Sequence, residues 1–491
     1  MFRLKIYFKD GIITLKMSGG ISVFSSITAM WSTLFGVGMY FTPKAFAKSG
    51  ILYASLQLLG VGGISFISIL VLFILSYEEI IRQSEIKKEE DIPLKTYSIS
   101  IQDKDLETEV KYAQENQVMA VKSDDENRLS YTGLGKSLIE WLGSVIDIMI
   151  MITSISTVLF FQKFISLIST SLLGHSVVDS IGFNPYYVFV VLYGLIILSG
   201  GQFKNLQSID WLSKISFASI AINCLIVGVM NFVLVDFKSA HITNPTKTVS
   251  LSVISTFIFA MFCQNNVVEI FNDMKDKNVK NLILVAAAAS LGACVFYAIM
   301  GIAGSLLFGD YMPNEDIISI LANENSEIVK HLFDTNSKFY CIHFIVPCFA
   351  IIGLLISSIY QLSAVTRSLN EVKLFKKIKS KTKKQAVTTF LVICLITTIN
   401  MFPQMGLGLV FDIIGHFMCN PLAYAFPFGF LAIKCYNNKD YGIKFFGSLI
   451  FIIISISFAF VGFTYPRVLQ YLTQNDPLNM TTTTVSNMTF N

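Results

Sequence analysis

Residues 51–76 contain no charged side chain. A helix needs about 20 apolar residues to cross the hydrocarbon core of a bilayer, and an apolar block of that length has nowhere to bury itself in water. Residues 249–262 and 445–463 are likewise free of charge. Only 14% of the chain is charged, against about 25% in soluble domains. The sequence therefore predicts an all-α polytopic membrane protein.

Eleven spans are expected, at roughly 21–47, 51–77, 137–163, 185–201, 212–235, 249–271, 281–308, 339–363, 386–402, 407–433 and 444–464. The first ten form the core, over 21–433, and 444–464 is an additional eleventh helix. The N-terminus carries basic residues without the apolar run and small-residue cleavage site of a signal peptide. With that end in the cytoplasm, the cytoplasmic segments and their helix ends hold 29 of the 37 Lys and Arg, and the opposite side holds 8. Basic residues concentrate in cytoplasmic loops, so residues 1–20 are expected inside. The tail 465–491 is then luminal or external, where the sequons at Asn479 and Asn487 would be usable. The loop 78–136 mixes acids and bases with few large apolar residues, and reads as a mobile cytoplasmic segment. The basic loop Arg367 to Lys384 reads as a topology signal.

The eight cysteines lie in spans or at their ends, with no metal-like Cys/His spacing, and read as small buried apolar residues. No metal or cofactor is expected beyond a coupling ion, H+ or Na+. The net charge of +4 is spread over loops and offers no face for nucleic acid.

Backbone in lipid must satisfy its own hydrogen bonds, and a broken helix is tolerated only where it is buried or lines a cavity. The first span carries Phe35, Gly36, Val37, Gly38 and Met39, with Pro43 following. The sixth carries Cys263, Gln264, Asn265 and Asn266. These spans correspond if the core is two five-helix halves, the second inverted. Matching breaks in inverted halves point to a transporter's binding site. Free N–H groups there suit a carboxylate and free C=O groups suit a cation, and a zwitterionic amino acid needs both. The alternative is close packing through the glycines, with the amides bridging helices.

Gly36-x-Gly38, Pro43, Ala45 and Gly50 in the first span, Phe257 to Val267 with Met274-Lys275-Asp276 in the sixth, and Tyr297 through Gly301 to Gly309 in the seventh share an order and spacing. Leu206 to Ser213, Arg367, Gly415 and Pro427 fit the same pattern. Over about 25 to 435 the chain resembles the amino acid/auxin permease family. The resemblance implies an inverted-repeat fold and alternating-access transport of amino acids, in the plasma membrane or a vacuolar or lysosomal-type membrane. The family often has His at Gln264, Pro at Glu269, and Asn at Ala29 and Ser32; some members have an outer-loop disulfide that this chain cannot form.

Ser32 joins the two breaks as an expected substrate contact. Asp147, about ten residues into the third span, is a coupling candidate, because an intramembrane carboxylate is expensive to keep without a task. Ser357 and Ser358 on the eighth span are candidate cation ligands, and His416, one turn from Asp412, is a second titratable candidate. An ion pair for Asp147, hydroxyls bonding back to their own helix, and a structural Asp412–His416 pair are the alternatives. A sensor of the same fold, signalling through 78–136, and a membrane-bound transferase are the competing functions. The transferase reading lacks clustered acids and histidines.

Overall fold

The computed structural model describes residues 3–9, 12–17, 20–90, 119–122, 129–173, 182–202, 210–234, 251–308, 316–323, 329–330, 341–371, 378, 380–402 and 414–474. The first span is two helices, α1 (Val23–Leu34) and α2 (Gly38–Ser49). Gly50 takes φ 76°, a conformation glycine adopts without a Cβ clash, and α3 (Ile51–Glu90) starts at once. At 40 residues, α3 is about 60 Å long, twice the hydrocarbon thickness, so it projects beyond the membrane. The short α4 (Tyr131–Leu138) precedes α5 (Glu140–Leu172), followed by α6 (Tyr186–Gly200) and α7 (Asp210–Leu234).

The second half repeats this plan. The sixth span is α8 (Leu251–Ala260) and α9 (Gln264–Asp273), and α10 (Val279–Phe308) corresponds to α3. A short α11 (Ile317–Ala322) again precedes the third helix of the half, α12 (Ile342–Glu371), and α13 (Lys381–Asn400) follows. The tenth span, described from Ile414, is π-helical over Ile414–Cys419 and Pro421–Ala425 and then becomes α14 (Phe426–Asn437). The last helix is α15 (Ile443–Gln474). The π geometry has a local cause. Side chains of neighbouring helices take its carbonyls: Tyr131 donates to Leu422 O (2.6 Å) and Ser68 donates to Ala423 O, while Asn420 donates to Ser455 O (2.7 Å). Inserted side-chain bonds of this kind loosen the i→i−4 ladder.

Outward faces are apolar and exposed, as on Leu195 and Ile453, which a bilayer would cover. One continuous core joins both halves. Within it α5 packs most extensively on α12, the third helices of the two halves, and α2 packs on α10.

The expected cytoplasmic N-terminus, 1–20, and mobile loop, 78–136, are partly structured. β1 (Arg3–Lys9) and β2 (Ile12–Met17) form a hairpin, and with β3 (Met119–Lys122) and β4 (Asp276–Lys277) they make an antiparallel sheet in the order β3-β1-β2-β4. β2 pairs with β4 just past the end of α9, and the chain just before α1 is clipped there too: Ile21 N–H donates to Asp273 O (2.7 Å) and Lys275 N–H to Ile21 O (2.9 Å). Within 78–136, α3 runs on to Glu90, and Leu129, Tyr131 and Leu134 enter the core. The low average hydrophobicity of that stretch concealed its apolar C-terminal end. The third span also lies further along than expected, ending at Leu172 rather than near 163. The tail sequons lie outside the described residues.

Candidate functional site

The two broken spans meet in the middle of the bundle. Phe35 has φ −75° and ψ 66°, and Gly36 N–H bonds back to Leu34 O at 2.7 Å, an inverse γ-turn. This turn ends α1. Val37 starts α2 without any side-chain cap, and Cys263 starts α9 the same way, at φ −140° and ψ 0°. Neither N-cap residue, Val37 or Cys263, supplies a side-chain cap to its half-helix.

The first half-helices end together on one side chain. The Tyr297 hydroxyl of α10 lies 2.6 Å from Leu34 O and 2.7 Å from Ala260 O. A phenol has a single O–H to donate, so it can satisfy only one of these carbonyls at a time. Gly38 allows the two spans to touch: a Cβ there would lie 2.9 Å from the Ala260 Cα and Cβ.

A pocket opens beside the breaks, lined by Thr33, Leu34, Gly36, Gly38, Phe259, Ala260 and Phe262, with Thr157 and Phe161 of α5 and Gln361 of α12. Its free volume is about 10 Å³, room for roughly one water. Phe161 closes it, since a Cβ on Gly36 would lie 2.4 Å from the Phe161 Cζ. Anything larger than a water enters only if that ring swings away.

The sixth-span amides lie just beyond this pocket, following Phe262 of its wall, and Asn265 reaches Gln361, another wall residue. Gln264 Oε1 accepts from the Cys263 N–H at 3.0 Å. Asn265 donates to Gln361 Oε1 (2.9 Å) and Ser154 Oγ (3.3 Å). Asn266 Oδ1 accepts from Arg367 at 2.8 Å, and Arg367 Nε also lies 3.6 Å from Glu269. Gln264 Nε2, Asn265 Oδ1 and Asn266 Nδ2 are buried with no hydrogen-bond partner among the described residues. Buried polar atoms are normally satisfied, so these three mark unmet hydrogen-bonding capacity around the breaks.

Among the coupling candidates, Ser357 faces the site and donates to Phe35 O at 3.1 Å. Ser358 bonds back to Leu354 O (2.8 Å), while Ser32, expected as a substrate contact, donates to Thr28 O (2.9 Å) and Ser213 O (3.3 Å). Asp147 stands apart from the breaks. It accepts from Thr132 at 2.5 Å and lies 3.9 Å from Lys136, both on α4. Phe161 is about 20 Å further along α5. His416 packs on the last helix, where a Cβ on Gly462 would lie 2.4 Å from its Nε2. Its expected partner Asp412 lies outside the described residues. Met39, Val37 and Cys263 are buried at the breaks.

Sequence reading passed over Thr157, Phe161, Gln361 and Lys163. A signal existed for the first three. Ser154, Thr157 and Phe161 stand on one stripe of α5, as Ser357 and Gln361 do on α12. Lys163, only 3% exposed, was taken for a helix end because the span was drawn too short.

Arg367 ties α12 to α9 at the end of the bundle that holds the N-terminal hairpin. Arg367→Ala leaves Asn266 Oδ1 without a donor, a loss of about 1–3 kcal/mol. The variant should unfold at lower temperature in detergent. Cys263, fully buried in the native chain, should become labelled by a thiol reagent in site-resolved mass spectrometry. An unlabelled Cys263 at native rates would show that Arg367 does not hold this end shut.

Two discontinuous helices crossing in opposite senses, each in one half of a five-plus-five core, define an inverted-repeat transporter fold. The chain belongs to the family described as transmembrane amino acid transporter protein, whose pattern matches residues 19–470. It is 25% identical over 158 residues to a protein named putative sodium-coupled neutral amino acid transporter 8 of Xenopus tropicalis, covering 31% of this chain and 36% of that one. It is 26% identical over 116 residues to vacuolar amino acid transporter 6 of Saccharomyces cerevisiae (strain ATCC 204508 / S288c), covering 22% and 26%. The matched stretches thus span about a third or less of those relatives. Among solved structures, MhsT in complex with L-phenylalanine aligns over 90% of this chain and 97% of its own, with TM-score 0.59 and 13% identity. Mhp1, a nucleobase-cation-symport-1 family transporter with bromovinylhydantoin bound, aligns over 94% and 95%, with TM-score 0.50 and 12% identity. These likenesses establish the fold.

Proposed function

We propose that this protein is a secondary active carrier of amino acids working by alternating access. The observation that carries the reading is the convergence of both helix breaks on one small pocket with unmet hydrogen-bonding capacity. The substrate carboxylate sits at the uncapped start of α2, around Val37 and Gly38, where the helix dipole favours an anion. The ammonium sits at the carbonyls of Leu34, Phe35 and Ala260. Gln264, Asn265 and Asn266 supply the polar wall. Arg367 and the hairpin close the end that the charge bias places in the cytoplasm, and Phe161 closes the pocket from α5.

Coupling is assigned to protons rather than sodium. A bound sodium exchanges its water oxygens for several fixed protein oxygens. Ala29 offers none, and Ser32, Ser357 and Ser358 each offer one hydroxyl oxygen whose proton goes to a carbonyl, a sparser set than asparagine side chains at Ala29 and Ser32 would give. Asp147, Lys163 and His416 are titratable groups within the helices. The test is uptake of a panel of labelled amino acids into proteoliposomes. An inward pH gradient should stimulate uptake several-fold without sodium, and Asp147→Asn should flatten that dependence. Uptake that needs sodium and ignores the gradient would overturn proton coupling. Binding without flux would instead identify a sensor of the same fold.

A further inference from the structure

A second cavity lies outside the carrier pocket. It is bounded by Gly60 and Ile64 of α3, Ile254 and Ile258 of α8, and Phe451 and Phe458 of α15. Its volume is about 210 Å³, and almost none of its wall is polar. An apolar cavity of about 150 Å³ stays dry and takes benzene, so by proportion this one holds roughly eight carbons. Gly60 keeps it open: a Cβ at that position would meet no atom within 4 Å. The cavity also has a mouth. Gly60 and Ile454, both in its wall, are exposed, and they stand beside Leu59 and Ile453, exposed apolar residues of the same two helices. On a membrane-spanning bundle that surface faces hydrocarbon.

We propose that this cavity is a binding site for the acyl chain of a bilayer lipid, which enters between α3 and α15. The chemistry selects the occupant. Gln57, Tyr424 and Ser455 also border the cavity but expose almost no polar surface to it, so water would find few partners there, whereas lipid chains are the solvent at the mouth and gain dispersion contacts by filling it. The position also gives the occupant leverage. Ile254 and Ile258 face the cavity from α8, while Phe259 and Ala260 of the same ten-residue helix line the carrier pocket. A chain in the cavity therefore braces a half-helix that lines the pocket. This consequence rests on the carrier reading; the binding itself does not.

The test uses the full chain in phosphatidylcholine vesicles doped with phosphatidylcholine carrying a diazirine at one chain terminus. After irradiation, adducts are mapped by peptide mass spectrometry. Adducts on Ile254, Ile258 and Phe458 should exceed those on Leu195 and Ile299, exposed residues of α6 and α10, by about tenfold. Gly60→Phe, which fills the cavity, should remove the first set and keep the second. Ile454→Trp fills the same space from α15 and serves if the first variant does not assemble. Equal labelling of both sets, or cavity adducts that survive a filling variant in a folded protein, would overturn the site. Cavity adducts in a native protein that moves no labelled amino acid would count against the carrier reading alone.

Discussion

Gly36→Ala should weaken amino acid uptake by about fivefold or more while the protein still folds and reaches its membrane. The added Cβ points at the Phe161 ring, 2.4 Å from Cζ. The far end of a flexible side chain can turn away, so the empty carrier tolerates the methyl. The loaded carrier does not, because the displaced ring and the methyl occupy the space the substrate needs. An overlap of this kind costs about 1–3 kcal/mol, which is roughly 5- to 150-fold in affinity. Gly38→Ala should behave differently. Its Cβ would meet Ala260 Cα at 2.9 Å, and backbone cannot rotate aside. The two half-helices would have to separate, so this variant should lose thermal stability as well as transport. Uptake assays in proteoliposomes beside melting curves in detergent distinguish the two. Native uptake by a folded Gly36→Ala protein would show that the pocket beside Phe161 is not the substrate's.

The contrast between these glycines shows what the sequence could and could not say. Two glycines two apart, followed by Pro43, mark a break, and the break is where expected. Spacing alone cannot say that one glycine faces a ring and the other a helix backbone, because that depends on partners more than a hundred residues away. The same limit explains Asp147. Its apparent depth came from a span drawn from 137, whereas α5 starts at Glu140 and α4 turns back against it. The amides of the sixth span were legible because polar residues inside an apolar run stand out. Phe161 was not, because an aromatic in a membrane helix looks like any other apolar residue until a glycine opposite it reveals its place. Tyr297 was noticed only as part of a pattern. Its role depends on two carbonyls that belong to different halves of the chain.

Tyr297→Phe should therefore cost more than the loss of one hydroxyl suggests. The phenol lies within 2.7 Å of both Leu34 O and Ala260 O, the last carbonyls of α1 and α8. Helix C-termini leave carbonyls without intrahelical partners. Leu34 O also accepts from Gly36 N–H, so the carbonyl most exposed to loss is that of Ala260. Leaving a buried acceptor unsatisfied costs about 1–3 kcal/mol, and phenylalanine supplies no substitute. The melting temperature should fall accordingly. Transport should fall further, by tenfold or more, because the same hydroxyl fixes the spacing between the two breaks that must grip one substrate together. The pairing also makes a prediction about the substrate. With a single proton for two acceptors, one carbonyl is always available to a second donor, and a bound ammonium can supply it. Substrates without the amino group should then lose affinity in the native protein and lose more in the Tyr297→Phe variant, where the ammonium is the remaining donor for Ala260 O. A double comparison of an amino acid and its deaminated analogue, in both proteins, measures that coupling. Equal losses in the two proteins would place the ammonium away from these carbonyls.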